Sequence, residues 1–210
     1  MKKTILIVGC FAVVLAALTA LIFFVSQRAQ LLEREFESKE IPEGRSAADY
    51  FALGQRFKDA GWPERSRKAL FLAEKIDPQG VGIRAKRFRL ARLPHTAVPD
   101  EAVQMNISGY NSSDDEQAEK IWEDCIEKYP DFEWPYCNLA AKHLAANKLG
   151  EAEPLFKKAL SLNPHYSNAL CGMSELEIKR GNKAAAKIYL DRALAADPEN
   201  PRVESLKSQF

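Results

Sequence analysis

Three histidines, His95, His143 and His165, are the side chains best placed by intrinsic pKa to move protons near neutral pH. None lies in a pattern that sets a carboxylate or a nucleophile beside it, so no triad chemistry is expected and no residue is assigned a catalytic role. Within residues 93–112, Asp100 and Glu101, with His95, are the only acid–base set, too few to build a site without a partner. The four cysteines, Cys10, Cys125, Cys137 and Cys171, show no metal-ligand spacing with histidine, so neither a metal nor a cofactor is expected. Gly80-Val81-Gly82 lacks the third glycine of a dinucleotide loop and follows a proline, not a strand. A basic run, Arg84, Lys86, Arg87, Arg89 and Arg92, spreads around a helix at 100° per residue and reads as a solvated surface. The alternative for that run is attraction to anionic lipid headgroups.

Charge and length bound the rest. The chain has 210 residues and a formal net charge of +1. Lys2 and Lys3 precede an uncharged run, 4–25, which is long enough at 1.5 Å per residue to cross a hydrocarbon core. Beyond it, 28 basic residues face 29 acidic ones, so the body has no field favouring nucleic acid, and no nucleic-acid or small-molecule partner is expected. The run continues through Leu21-Ile22-Phe23-Phe24-Val25, past any cleavage site at Leu18-Thr19-Ala20. It therefore reads as an uncleaved single-pass anchor, residues 1–25, with the N-terminus cytoplasmic and the body periplasmic or extracytoplasmic. A secreted or lipid-modified form released from the anchor is the alternative, since Ile7-Val8-Gly9-Cys10 is similar to a lipobox. Cys125 and Cys137 flank a turn near Asp131 at equal distance, so a bridge between them is conceivable, but buried small apolar residues are the simpler reading.

The elements that would position any site are helices. Residues 26–46 read as a helical stalk and linker broken at Ile41-Pro42-Glu43-Gly44, after which Ser46 offers an N-cap with Asp49 in the first turn. No segment alternates like a strand, and Ala, Leu, Glu and Lys dominate the last eighty residues. Pro130, Pro164 and Pro198 stand thirty-four residues apart. Around them Ala118, Ala152 and Ala186 align, as do Trp122, Phe156 and Leu190, and Cys125, Ala159 and Ala193. Asp77-Pro78, Tyr129-Pro130, Asn163-Pro164 and Asp197-Pro198 each end a helix, because proline disfavours helical geometry in the residue before it. Such a period means stacked helical units sharing one elongated core, an all-α solenoid.

These residues resemble the tetratricopeptide repeat family. The unit from Ala47 supplies Tyr50, Leu53, Gly54, Phe57, Ser66, Leu70, Ala73 and Pro78. The unit from Glu133 supplies Tyr136, Leu139, Ala140, His143, Ala152, Phe156, Ala159 and Pro164, and the unit from Ser167 supplies Leu170, Met173, Ser174, Glu177, Ala186, Leu190, Ala193 and Pro198. About four units follow at 47–80, 81–132, 133–166 and 167–200, with a short cap at 201–210 carried by Val203 and Leu206. The second unit is eighteen residues too long; its first helix is placed at 81–92, an inserted loop at 93–112, and its second helix after a capping box of Ser113 and Glu116. The resemblance implies a non-enzymatic protein-interaction scaffold, or assembly or chaperone accessory factor, whose first helices line a partner groove. By repeat position the groove would be Phe51, Gln55, Lys58, Trp134, Cys137, Ala141, Leu144, Cys171, Glu175 and Ile178. That lining is mostly apolar and lacks the lysines and asparagines of chaperone-tail binders, so an amphipathic helix or apolar peptide is the expected occupant.

Overall fold

The structure, a computed structural model, describes residues 41–210. The anchor expected at 4–25 and most of the stalk lie outside the described residues. Among the described residues no helix is long and apolar enough to cross a membrane. Ser46–Phe210 form one body of ten helices. They are α1 (Ala47–Asp59), α2 (Pro63–Ile76), α3 (Val81–Arg92), α4 (Asp100–Asn111), α5 (Asp115–Lys128), α6 (Glu133–Ala145), α7 (Leu149–Leu162), α8 (Ser167–Lys179), α9 (Lys183–Ala196) and α10 (Pro201–Lys207).

Local chemistry sets the helix ends. Ser46 and Asp49 close a reciprocal capping box at the start of α1. Asp77, Tyr129, Asn163 and Asp197, each before a proline, are the C-caps of α2, α5, α7 and α9. Within three hairpins the turn places Gly61, Asn147 or Gly181 in the left-handed region, at φ 78°, 60° and 78°. The next residue then donates its N–H back five residues, as Lys148 does to the His143 carbonyl at 2.8 Å. The α4–α5 turn uses another device. Its cap is Asp114, accepting from the Gln117 N–H at 2.9 Å, and not the Ser113–Glu116 pair expected from sequence.

The hairpins α1–α2, α4–α5, α6–α7 and α8–α9 close where side chains are small. Ala140, Ala152 and Ala186 are fully buried. Where a serine takes such a place its hydroxyl is satisfied across the contact: Ser66 Oγ donates to the Gly54 carbonyl at 2.7 Å, and Ser174 Oγ to the Ala186 carbonyl at 2.9 Å. Gly54 is needed for the same reason, since a Cβ there would stand 2.7 Å from the Leu70 side chain. Ala152→Leu is expected to cost about 1–3 kcal/mol by overpacking, read as a lower urea midpoint; a neutral result would mean this approach is loose.

The inserted loop expected at 93–112 is corrected: residues Asp100–Asn111 are helix α4. It is α4, not α3, that pairs with α5. Trp122 donates its indole N–H to the Asn106 carbonyl at 3.2 Å, and the absence of a Cβ at Gly109 lets the ring lie flat against α4. The extra residues are therefore α3 and the segment after it. α3 packs on α1 and α2 and also reaches α8 and α9.

Candidate functional site

The first helices of successive hairpins, α4, α6 and α8, share one side of the body, and the ends of α1 and α3 close over it. Between them lies a cavity of about 410 Å³ lined by Lys58, Arg92, Asn106, Tyr110, Trp134, Asn138, Tyr166, Asn168, Asn200 and Pro201. The closure is built from specific bonds. Arg92 makes two hydrogen bonds to Asp197, Nε to Oδ2 at 2.5 Å and Nη2 to Oδ1 at 3.0 Å. Ser167 Oγ donates to the Ala91 carbonyl at 3.4 Å, and Asn163 Nδ2 donates to the carbonyls of Leu90 and Leu93 at 3.3 and 3.4 Å. Arg84 pairs with Glu199 at 3.0 Å. Arg89 pairs with Glu74 at 2.7 Å. Three of the five cations of the basic run are thus committed to ion pairs, which corrects its reading as a plain solvated surface.

Glu133 sits under this closure. It is fully buried, its Oε1 accepts from the His95 N–H at 2.8 Å and from Asn163 Nδ2 at 2.9 Å, and its Oε2 has no partner. Burial pushes its carboxyl above the ordinary range, against the lowering effect of the Asn163 and His95 bonds. A raised folded pKa means that its contribution is fully present below the unfolded value and is lost as pH climbs through the folded one. Glu133→Gln is therefore expected to gain thermal stability relative to the parent as pH rises past the ordinary carboxylate range. A pH-independent difference in Tm would show that Glu133 titrates normally.

Of the ten groove candidates, Lys58 and Trp134 line the cavity. Cys137, Leu144 and Cys171 are buried at 2%, 3% and 0% exposure and belong to the core. Phe51 is buried edge-on against Phe88, with ring centroids 5.9 Å apart, and Arg84 lies over its ring. Glu175 is tied to Arg202 at 2.9 Å, and Gln55, Ala141 and Ile178 are half-buried away from the cavity lining. The cavity itself is lined chiefly by asparagine amides and aromatic rings. Asn106 and Tyr110 lie on α4, inside the segment expected as a loop; thirty-four residues back from Glu133 falls at the start of that helix. Asn138 directly follows Cys137, and Asn168 stands thirty-four residues after Trp134, at the same repeat position.

The remaining chemical candidates are placed plainly. His143 Nδ1 stands 3.5 Å from Glu151, and His165 uses its backbone N–H on Asn163 Oδ1. Gly80 and Val81 spend their N–H groups on the Asp77 carboxylate, whose pKa is lowered by these bonds, Val81's first. Cys125, Cys137 and Cys171 are free thiols, and burial pushes the Cys137 thiol up to about 12. Among the described residues no cluster of His, Cys, Asp and Glu could hold a metal ion.

Residues 143–210 match the family model of the tetratricopeptide repeat. The cellulose synthase operon protein C of Komagataeibacter xylinus is 38% identical over 58 residues, which is 28% of this chain and 4% of that protein's length. The crystal structure of TTC0263, a thermophilic repeat protein of Thermus thermophilus, is similar over 78% of this chain and 80% of that one, at 17% identity and a TM-score of 0.42. The yeast Sti1 TPR2AB domain, solved in complex with an Hsp90 peptide, is similar over 88% of this chain and 74% of that one, at 17% identity and a TM-score of 0.45. Residues 143–210 thus match the tetratricopeptide repeat, and they lie within an all-α body built of helical hairpins.

Proposed function

We propose that this chain is a non-catalytic adaptor that binds a segment of another protein in the cavity bounded by α4, α6 and α8. The observation that carries this is the cavity itself: repeats of this family mediate protein–protein interaction, and here the first helices turn asparagines and aromatic rings, not a gathered set of catalytic groups, toward one shared space. Residues 4–25 supply the support for a membrane tether, being uncharged over a span's length, and Lys2 and Lys3 ahead of them favour a body on the extracytoplasmic side.

Photo-crosslinking in native membranes tests the binding site. A photoreactive residue at Tyr110, which is 74% exposed and lines the cavity, is expected to trap the partner; one at Ile188, which is 62% exposed and does not line it, is not. Equal capture at both positions would move binding elsewhere. Intact mass of the chain from membranes tests the tether: an uncleaved N-terminus that resists carbonate extraction supports it, and a start beyond residue 20 would sink it.

A further inference from the structure

The cavity wall is organised as two asparagine pairs. Asn138 Nδ2 donates to Asn106 Oδ1 at 2.8 Å, and Asn200 Nδ2 donates to Asn168 Oδ1 at 3.0 Å and to Ser167 Oγ at 2.9 Å. Each bond fixes which way an amide points. What remains unspent is the Asn106 NH2 group, the Asn138 carbonyl oxygen and one N–H of Asn168, the other N–H being given to the Tyr166 hydroxyl. Donors and an acceptor on neighbouring helices are the complement of a peptide backbone, which offers one carbonyl and one N–H per residue.

Charge narrows the ligand further. The two cations of the wall are already matched, Lys58 by Asp59 at 3.2 Å and Arg92 by Asp197. No surplus positive charge is left for an acidic tail. A helix would also fit poorly, because it spends its backbone groups internally and would leave the amide edges unpaired. Deepening the reading that this cavity is the partner site, and resting on it, we propose that the ligand is an uncharged, extended peptide segment held through its backbone by Asn106, Asn138 and Asn168.

The test uses the full chain in detergent micelles and four fluorescent probe sets: neutral unstructured decapeptides of Ser, Thr, Gln, Ala and Val, the same peptides N-methylated at alternate residues, acidic-tailed decapeptides, and stapled amphipathic helices. Neutral decapeptides are expected to bind, and N-methylation to abolish binding. Scrambling their side chains should change affinity less than about threefold. Asn138→Ala and Asn168→Ala should each weaken binding about 5–10-fold with Tm unchanged, the loss of roughly one hydrogen bond. Asn168 is exposed, so that variant keeps the fold even if Asn138→Ala does not. Preference for acidic or helical probes, or unchanged affinity in both variants, overturns the inference while Tyr110 crosslinking keeps the site. No probe bound and no crosslink at Tyr110 overturns both.

Discussion

Phe156→Ala is expected to lower the unfolding free energy by about 3–5 kcal/mol, the usual cost of emptying an aromatic site in a core that cannot collapse around it. The Phe156 ring is fully buried, and it occupies the space left by the missing side chain at Gly172 in the next hairpin, where a Cβ would collide with ring atoms. Losing the ring therefore weakens α7 within its own hairpin and its seam with α8 together. In a stacked architecture each unit is held mainly by its neighbours, so the loss spreads through 133–200. Urea unfolding followed by far-ultraviolet circular dichroism measures it. Phe71→Ala, at a side chain 59% exposed, is the comparison and should stay within about 0.5 kcal/mol. If the two variants unfold at the same urea concentration, the inter-repeat seam is not where stability resides.

Arg92→Ala should cost about 2–4 kcal/mol and loosen the closure over the cavity. The Asp197 side chain is 6% exposed; without the guanidinium it keeps only the Ser167 hydroxyl, at 3.3 Å. Breaking a fully buried pair typically costs more, but Arg92 is about a quarter exposed and water takes up part of the loss. Arg92→Lys is expected to recover only part, because an ammonium cannot reproduce the two parallel bonds. The signature that separates this from general destabilisation is local: hydrogen exchange at residues 93–99 should rise before exchange in α6–α9. Uniform exchange along the chain would mean that Arg92 supports the whole fold and not this closure.

The regular part of the architecture was legible in the residues themselves. Alanines at 140, 152 and 186 announce close helix approach because a larger side chain has no room there, and the prolines at 130, 164 and 198 announce helix ends because the preceding residue resists helical geometry. The irregular part was not. α3 and α4 are both twelve-residue helices, and eighteen extra residues let either be assigned as the partner of α5 unless the thirty-four-residue count back from Glu133, which falls at the start of α4, is applied. Which groove positions stay accessible is not legible in the sequence for a related reason. Repeat positions name which residues lie on a first helix, but not which of them a neighbouring helix covers. Cys137 and Cys171 look available by position and are sealed by α8 and α10, whose residues Tyr166 and Arg202 approach them.

The amino-acid sequence by itself determined the helical repeat, its period and its small-residue seams, since these depend on local sterics and on contacts at fixed separations along the chain. Only the tertiary structure decided where α3 lies, that Arg92 reaches Asp197 across 105 residues, and that the shared space is walled by asparagine amides. Those outcomes depend on how far successive hairpins turn, a sum of small packing offsets that no single stretch of residues encodes.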